Sequence, residues 1–245
     1  MSSHAKHPSA TIKKLWVLYG YTYDGLLAFW PYRHLLDLVE AKLRLRAGLR
    51  VLDLGCGTGN MLVRSLGHAG VTATGVDASS SMLKVAGRKL RSFRDAGHLE
   101  LVQADVQAYL EAQPDNSYDR IISVNVLYAI ADQTALWKEL MRVLSPNGAI
   151  IATTSVRPGS GPIIKEHFEH SSVWVLLRPR LIGVFLIDAL INIFGHTGHF
   201  AFPDEAKLRK AVAASGASWV STDVCYGGPQ NGVNILFEVT HQPGA

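Results

Sequence analysis

One ten-residue stretch, Val51-Leu52-Asp53-Leu54-Gly55-Cys56-Gly57-Thr58-Gly59-Asn60, constrains the fold of this chain more than any other. It starts as a short apolar run with a β-branched residue at its head, the pattern of a strand buried in a parallel sheet. The run ends in glycines at three alternate positions, Gly55, Gly57 and Gly59. Glycine there lets the chain turn sharply and lets a ligand lie against bare backbone. Met61 to Leu66 reads as the helix that follows, so its free N–H groups and positive dipole end face the same crevice. Strand, turn and helix in this order point to a nucleoside-like ligand at the carboxyl end of a sheet strand. A glycine-rich turn that holds no ligand is the plain alternative.

The chain beyond this stretch alternates strands and helices. Val71 to Asp77 reads as a second strand ending in an acid. Asp77 follows the glycines at about the distance where a carboxylate meets ribose hydroxyls in nucleotide-binding sheets, and a carboxylate can accept from both hydroxyls at once. A solvated strand-end Asp is the alternative. Ser79 to Ser81 caps and opens a helix running to about Arg94. Leu99 to Val106 is a third strand that carries Asp105, where a helix-capping role competes with a ligand role. Tyr118 to Asn125 is the fourth. Asp132 to Leu144 forms a helix with Leu136, Trp137, Leu140, Val143 and Leu144 on its apolar side. It runs into a Ser145-Pro146-Asn147-Gly148 turn and a fifth strand, Ala149 to Thr154. Asp204 to Ser215 reads as a helix, and Trp219 to Cys225 and Val233 to Thr240 as two last strands.

The glycine spacing separates two ligand classes. A dinucleotide fingerprint, G-x-G-x-x-G, needs its third glycine at position 60, which is Asn60. Here the spacing is G-x-G-x-G behind Leu-Asp-Leu, which resembles motif I of class I S-adenosylmethionine-dependent methyltransferases. The phrase from Asp77 to Leu83 (Asp-Ala-Ser-Ser-Ser-Met-Leu) and the stretch Leu140 to Gly148 resemble later motifs of the same family, in the expected order over roughly residues 50–154. Asn147 stands where the family usually has glycine, a mild departure because Asn also tolerates a left-handed backbone. The family's aminomethylating branch commonly carries an Asn/Asp-Pro-Pro-Tyr-like signature after the fourth strand. Here Asn125 is followed by Val126-Leu127-Tyr128 without prolines, which argues against nucleobase or glutamine acceptors.

The resemblance implies an α/β fold: a doubly wound, mostly parallel seven-stranded sheet with an antiparallel last strand, a helical amino-terminal cap over residues 1–45 and a methyltransferase domain over 46–245. It also implies residue roles in binding S-adenosyl-L-methionine. Asp53 and Gly55 hold the methionine amino end, with Cys56, Gly57 and Gly59 completing the turn. Asp77 takes the ribose, Ala78 and Met82 flank the adenine, Asp105 meets its amino group and the Val106 N–H a ring nitrogen. Asn125 lines the methionine side. The Tyr21-Thr22-Tyr23-Asp24 stretch resembles the segment that closes over cofactor and substrate in small-molecule and lipid methyltransferases. The quinone-biosynthesis and phospholipid enzymes are the nearest in character.

The remaining sequence bears on the acceptor. Trp16 to Tyr32 is dense in aromatic residues, suited either to plain packing over the sheet or to a lid whose ring faces sit near a sulfonium cation. Residues 156–203 form an insertion expected to be helical. Its apolar run from Leu181 to Phe194 is too short to span a bilayer, and reads as a buried helix, a pocket wall or a dimer face. Insertions on a shared scaffold carry specificity, so a lipophilic or aromatic acceptor is expected here. Tyr23, Tyr21, His167 and His170 are the candidate bases, should the acceptor have to lose a proton. The pairs His167/His170 and His196/His199 are loosely spaced for zinc and lack a cysteine, so no metal is expected. Cys56 has no matched base and reads as a small turn residue.

Composition narrows the remainder. A net charge of +4 without a Lys/Arg block argues against nucleic acid as a partner. Cys56 and Cys225 are the two cysteines, which suits a reducing cytoplasm rather than a disulfide framework. Met1 to Thr11 lacks a signal-peptide core and reads as a mobile tail. The expected function is methyl transfer from S-adenosylmethionine, leaving S-adenosyl-L-homocysteine, to a small, apolar or lipid-like acceptor. Peripheral membrane contact and a monomeric or homodimeric state stay open. A nicotinamide-dependent (NAD) oxidoreductase and a non-catalytic S-adenosylmethionine-binding protein are the alternatives.

Overall fold

The computed structural model describes residues 20, 22–130, 132–156, 161–172, 174–175, 178–179, 181–183, 186, 204–228 and 232–242. Seven strands form one sheet in the order β3-β2-β1-β4-β5-β7-β6. They are β1 (Arg50–Leu54), β2 (Thr72–Asp77), β3 (Leu99–Gln103), β4 (Tyr118–Val124), β5 (Leu144–Ser155), β6 (Ala217–Cys225) and β7 (Asn234–His241). All neighbours through β5 pair in parallel, and β7 alone runs against the rest. Strand order reverses between β1 and β4, so a crevice opens there at the carboxyl ends of the strands. This matches the expected doubly wound sheet with its antiparallel last strand.

Alternation along each strand sends neighbours to opposite faces of the sheet. Leu52, Ile121, Ile150 and Phe237 pack on one face under α5 (Val106–Glu111), α6 (Gln133–Val143) and α8 (Glu205–Ala214). Their neighbours Val51, Ile122, Ile151 and Leu236 pack on the other under α1 (Trp30–Leu43) and α2 (Asn60–Leu66). A buried leucine or isoleucine contributes roughly 1.5–3 kcal/mol by leaving water, so these paired layers carry most of the stability.

Local signals explain the helix boundaries. Pro31 sits in the first turn of α1, where its missing N–H costs nothing. The helix stops at Leu43, because Arg44 turns left-handed at φ 46°. That turn aims its guanidinium at Glu238 of β7, with Nη1 and Nη2 donating to the two carboxylate oxygens at 2.6 and 3.0 Å. The Glu238 side chain is only 4% exposed, while Arg44 reaches out to solvent. Arg44→Met is therefore expected to strand a buried carboxylate and cost about 2–3 kcal/mol, read as a drop in the urea midpoint. An unchanged midpoint would show the pair to be ornamental.

Three differences from the sequence reading have simple causes. The helix expected to reach Arg94 is broken at Leu90 into α3 (Ser80–Lys89) and α4 (Arg91–Asp95). The third strand ends at Gln103, because Asp105 Oδ1 accepts from the backbone N–H groups of Gln107 and Ala108 and starts α5. The Ser145 to Gly148 turn is absorbed into β5, whose Leu144 pairs with Tyr118 and Ala149 with Arg120, a bulge in the ladder. Asn147 is not left-handed there, so the tolerance expected of it is not used.

The cap begins with a tight turn, Tyr23–Ala28, ahead of α1. The insertion contributes α7 (Gly161–His170), which packs on α1, and Gly183, which lies directly against Thr22. The expected tail from Met1 to Thr11, Tyr21, His196, His199 and most of the Leu181 to Phe194 run lie outside the described residues. No helix among the described residues is long and apolar enough to cross a membrane.

Candidate active site

The turn after β1 has the shape its glycines predict. Gly55 sits at φ 67° and any Cβ there would overlap Val126. Gly57, at φ 54°, differs in kind: nothing lies within 4 Å of where its Cβ would stand, so bare backbone faces an open crevice. The Gly57 N–H donates to Asp77 Oδ2 at 2.8 Å, and the Ser79 N–H donates to Asp77 Oδ1 at 2.8 Å. Asp77 thus ties the β1 and β2 turns together. Burial pushes its pKa up and these two bonds pull it down.

Asp53 is the unusual group. It lies inside β1, is 2% exposed, and its carboxyl meets no hydrogen-bond donor among the described residues. Burial, and after it the negative charge of Asp77, pushes its pKa up to about 8. A buried carboxyl without donors is costly, and such a group calls for a cationic ligand that brings its own N–H bonds.

Other predicted residues fall around the same crevice. Asp105 uses Oδ1 as a helix cap, so Oδ2 is left for another donor. The Val106 N–H opens α5 and needs a partner from outside the helix. Asn125 follows β4 in a left-handed conformation, φ 57°. Its N–H donates to Thr153 O, and its Oδ1 accepts from Thr153 Oγ1 and Asn234 Nδ2 at 3.2 and 2.6 Å. Met82, buried in α3, meets Gly20 of the cap, and Ala78 is exposed at the end of β2. The Cys56 thiol is buried and held well above its ordinary pKa, by burial and then by Asp53 and Asp77, so it stays protonated.

The cap is fastened to this turn by a chain of side chains that sequence reasoning missed. Thr58 Oγ1 donates to Asp24 Oδ1 at 2.7 Å. Lys89 Nζ bridges Asp24 Oδ2, at 2.9 Å, and Asn60 Oδ1, at 2.7 Å. Asn60 Nδ2 then donates to the buried Tyr32 hydroxyl at 3.3 Å, which donates onward to Tyr23 at 3.4 Å. Asn60 was read only as a missing glycine. Lys89 carried no signal, since its partner Asp24 is 65 residues away.

The candidate bases divide. Tyr23 is joined to the glycine turn through Tyr32 and Asn60. His167 is fully buried, stacked on Phe29 with centroids 4.5 Å apart, and its Nδ1 accepts from the Trp30 N–H at 3.2 Å. Its pKa is lowered by burial, opposed by the Ser172 backbone, with the Arg33 charge adding to the fall. A neutral ring in this setting carries its proton on Nε2 and has no lone pair left for a base. His170 is exposed and stacked on Trp30 at 4.0 Å. The two histidines therefore sit at the α1–α7 packing.

Comparisons with known proteins bear on this arrangement. A family profile described as a methyltransferase domain matches residues 51–148, from β1 to the start of β5. A ubiquinone/menaquinone biosynthesis C-methyltransferase (UbiE) of Shewanella halifaxensis is 35% identical over 179 residues, 72% of this chain and 69% of that protein. The chain belongs to the S-adenosylmethionine-dependent methyltransferases of the quinone-biosynthesis type. A demethylmenaquinone methyltransferase of Staphylococcus saprophyticus is 27% identical over 84% of this methyltransferase and 85% of its own length. Among solved structures, the geranyl diphosphate C-methyltransferase of Streptomyces coelicolor superposes with a TM-score of 0.63 at 13% identity, covering 86% of this chain and 78% of that one. The [4+2]-cyclase SpnF superposes with 0.61 at 17% identity, over 86% and 82%. Likeness at that level shows the fold, and a fold that also hosts a cyclase does not by itself set the reaction.

Membership of the family sets aside the oxidoreductase and non-catalytic alternatives: the enzyme uses S-adenosylmethionine. The residues fit that cofactor. Asp53 lacks the cation and donors that an ammonium group brings, and the open space beside Gly57 leaves room against the backbone.

Proposed function

We propose that this enzyme methylates a ring carbon of a quinone-like acceptor in its reduced, hydroxyl-bearing form. The observation that carries the cofactor half is the buried Asp53, without a donor among the described residues, beside a glycine turn tied down by Asp77. The acceptor half is supported by the C-methyltransferases to which this chain is similar over most of its length. S-adenosylmethionine, when bound, supplies a methyl group made electrophilic by its sulfonium.

The protein's own contribution is holding, orienting and drying. Asp53 takes the ammonium end, Asp77 the ribose hydroxyls, Asp105 Oδ2 and the Val106 N–H the adenine edge, and Asn125 lines the methionine side. Thr58, Asp24 and Lys89 clamp the aromatic cap over the turn, which excludes water and aligns the acceptor. Tyr23 Oη, at the end of the Asn60–Tyr32 chain, is the group placed to hold the acceptor's hydroxyl proton. Exposed Phe168, Trp174 and Leu186 on the insertion suit a lipid-like acceptor drawn from a membrane surface by an enzyme of the cytoplasm. Both cysteines being free supports that compartment.

Calorimetry with S-adenosylmethionine, S-adenosylhomocysteine and NAD, followed by transfer of labelled methyl to reduced naphthoquinone, tests this reading. Binding of the first two ligands, none of NAD, and a carbon-methylated product are expected. An oxygen-methylated product, or no transfer with cofactor binding intact, overturns the acceptor assignment.

A further inference from the structure

Cap and insertion together line an open cleft of about 600 Å3. Its wall includes Asp24, the residue through which the cap holds Thr58. Leu27, Ala28, Pro179 and Leu181 supply the apolar part of a mixed lining. Arg33 of α1 and Arg178 of the insertion line it too, and both are exposed.

Arg44, Arg50, Arg64 and Arg142 each reach a carboxylate, while Arg46, Arg88, Arg94 and Arg120 reach none among the described residues but do not line this cleft. The guanidinium groups of Arg33 and Arg178 meet neither a carboxylate nor a hydrogen-bond acceptor among the described residues. Asp24, the acid of this cleft, is engaged by Lys89 and Thr58 instead. The cleft therefore combines apolar wall residues with two positive charges that no carboxylate among the described residues compensates. A ring carrying only hydroxyls and hydrocarbon would leave both charges unused, whereas guanidinium matches carboxylate and phosphate oxygens in pairs.

Resting on the reading of cap and insertion as the acceptor side, we infer that the acceptor carries an anionic group, a carboxylate or a phosphate, beside its apolar ring. Arg33 and Arg178 bind that group and select such acceptors over neutral ones.

The test is calorimetric titration of the full-length protein, saturated with S-adenosylhomocysteine, with three probes: naphthol, a hydroxynaphthoate and naphthyl phosphate. At least one anionic probe is expected to bind about tenfold or more tightly than naphthol. In Arg33→Gln and Arg178→Gln that preference is expected to shrink, with affinity for naphthol and for S-adenosylhomocysteine unchanged. Equal affinity for all three probes, or a preference that survives in both variants, overturns the inference. So does tight binding of phosphatidylglycerol vesicles without any preference among the probes, which would give the arginines to a lipid surface. Retained S-adenosylhomocysteine and naphthol binding with no anionic preference removes this inference alone. Loss of carbon methylation of reduced naphthoquinone would remove the underlying reading instead.

Discussion

Asp53→Asn is expected to make the enzyme more stable at pH 8 while weakening its hold on S-adenosylmethionine. The carboxyl is buried, meets no donor among the described residues, and has its pKa pushed up to about 8, first by burial and then by Asp77. Its folded pKa stands above the unfolded value, so the folded state holds the extra proton between about pH 4 and pH 8. Stability falls as pH rises through that window and levels off above it. The neutral amide does not titrate, so the variant should gain about 2–4 kcal/mol over wild type near pH 8 and nothing near pH 4. Binding moves the other way: an ammonium group prefers the ionised carboxylate, so wild-type affinity should rise with pH up to about 8. The variant should bind roughly 30-fold more weakly and without that slope, because the cation then lacks its counter-charge. Thermal midpoints at pH 5 and pH 8, with calorimetry at both, decide it. A variant equally shifted at both pH values would mean that Asp53 does not carry the titration.

This trade shows what a sequence can and cannot disclose about such a site. The strand, the glycine spacing and the acid at Asp77 are local patterns, legible because each is dictated by a few adjacent residues. The cost of Asp53 is not local. It depends on burial by the whole sheet and on the absence of a donor among the described residues, and no spacing rule encodes an absence. The Thr58–Asp24–Lys89–Asn60–Tyr32 chain was equally hidden, because it joins the cap, the glycine turn and α3 across long separations. The histidines show the converse. His167 and His170 are candidate bases by residue type alone, and α7 presents them to Phe29 and Trp30. Asp105 could be read as strand end or helix cap, and the backbone took the cap, starting a helix that strand periodicity had swallowed.

Asp77→Ala is expected to have the largest effect on cofactor binding, and more effect on the fold than a solvated strand-end acid would. Its carboxylate accepts from the Gly57 and Ser79 N–H groups at 2.8 Å each, so removal leaves two backbone donors of the crevice without partners. Unmade bonds of this kind cost roughly 1–3 kcal/mol apiece, less where water can reach them, so a stability loss of about 2 kcal/mol is expected. Loss of the proposed ribose contact and of the ordered turn together should weaken binding on the order of 100-fold. The same change removes the negative charge that helps raise Asp53. The window over which stability falls with pH should therefore move down in this variant, an effect that simple loosening of the turn would not produce. Denaturation midpoints across pH and calorimetry with S-adenosylhomocysteine measure both consequences on one sample. Unchanged affinity would remove Asp77 from the ribose. An unmoved pH window would mean that burial alone sets the charge of Asp53, and that the two carboxyls act separately.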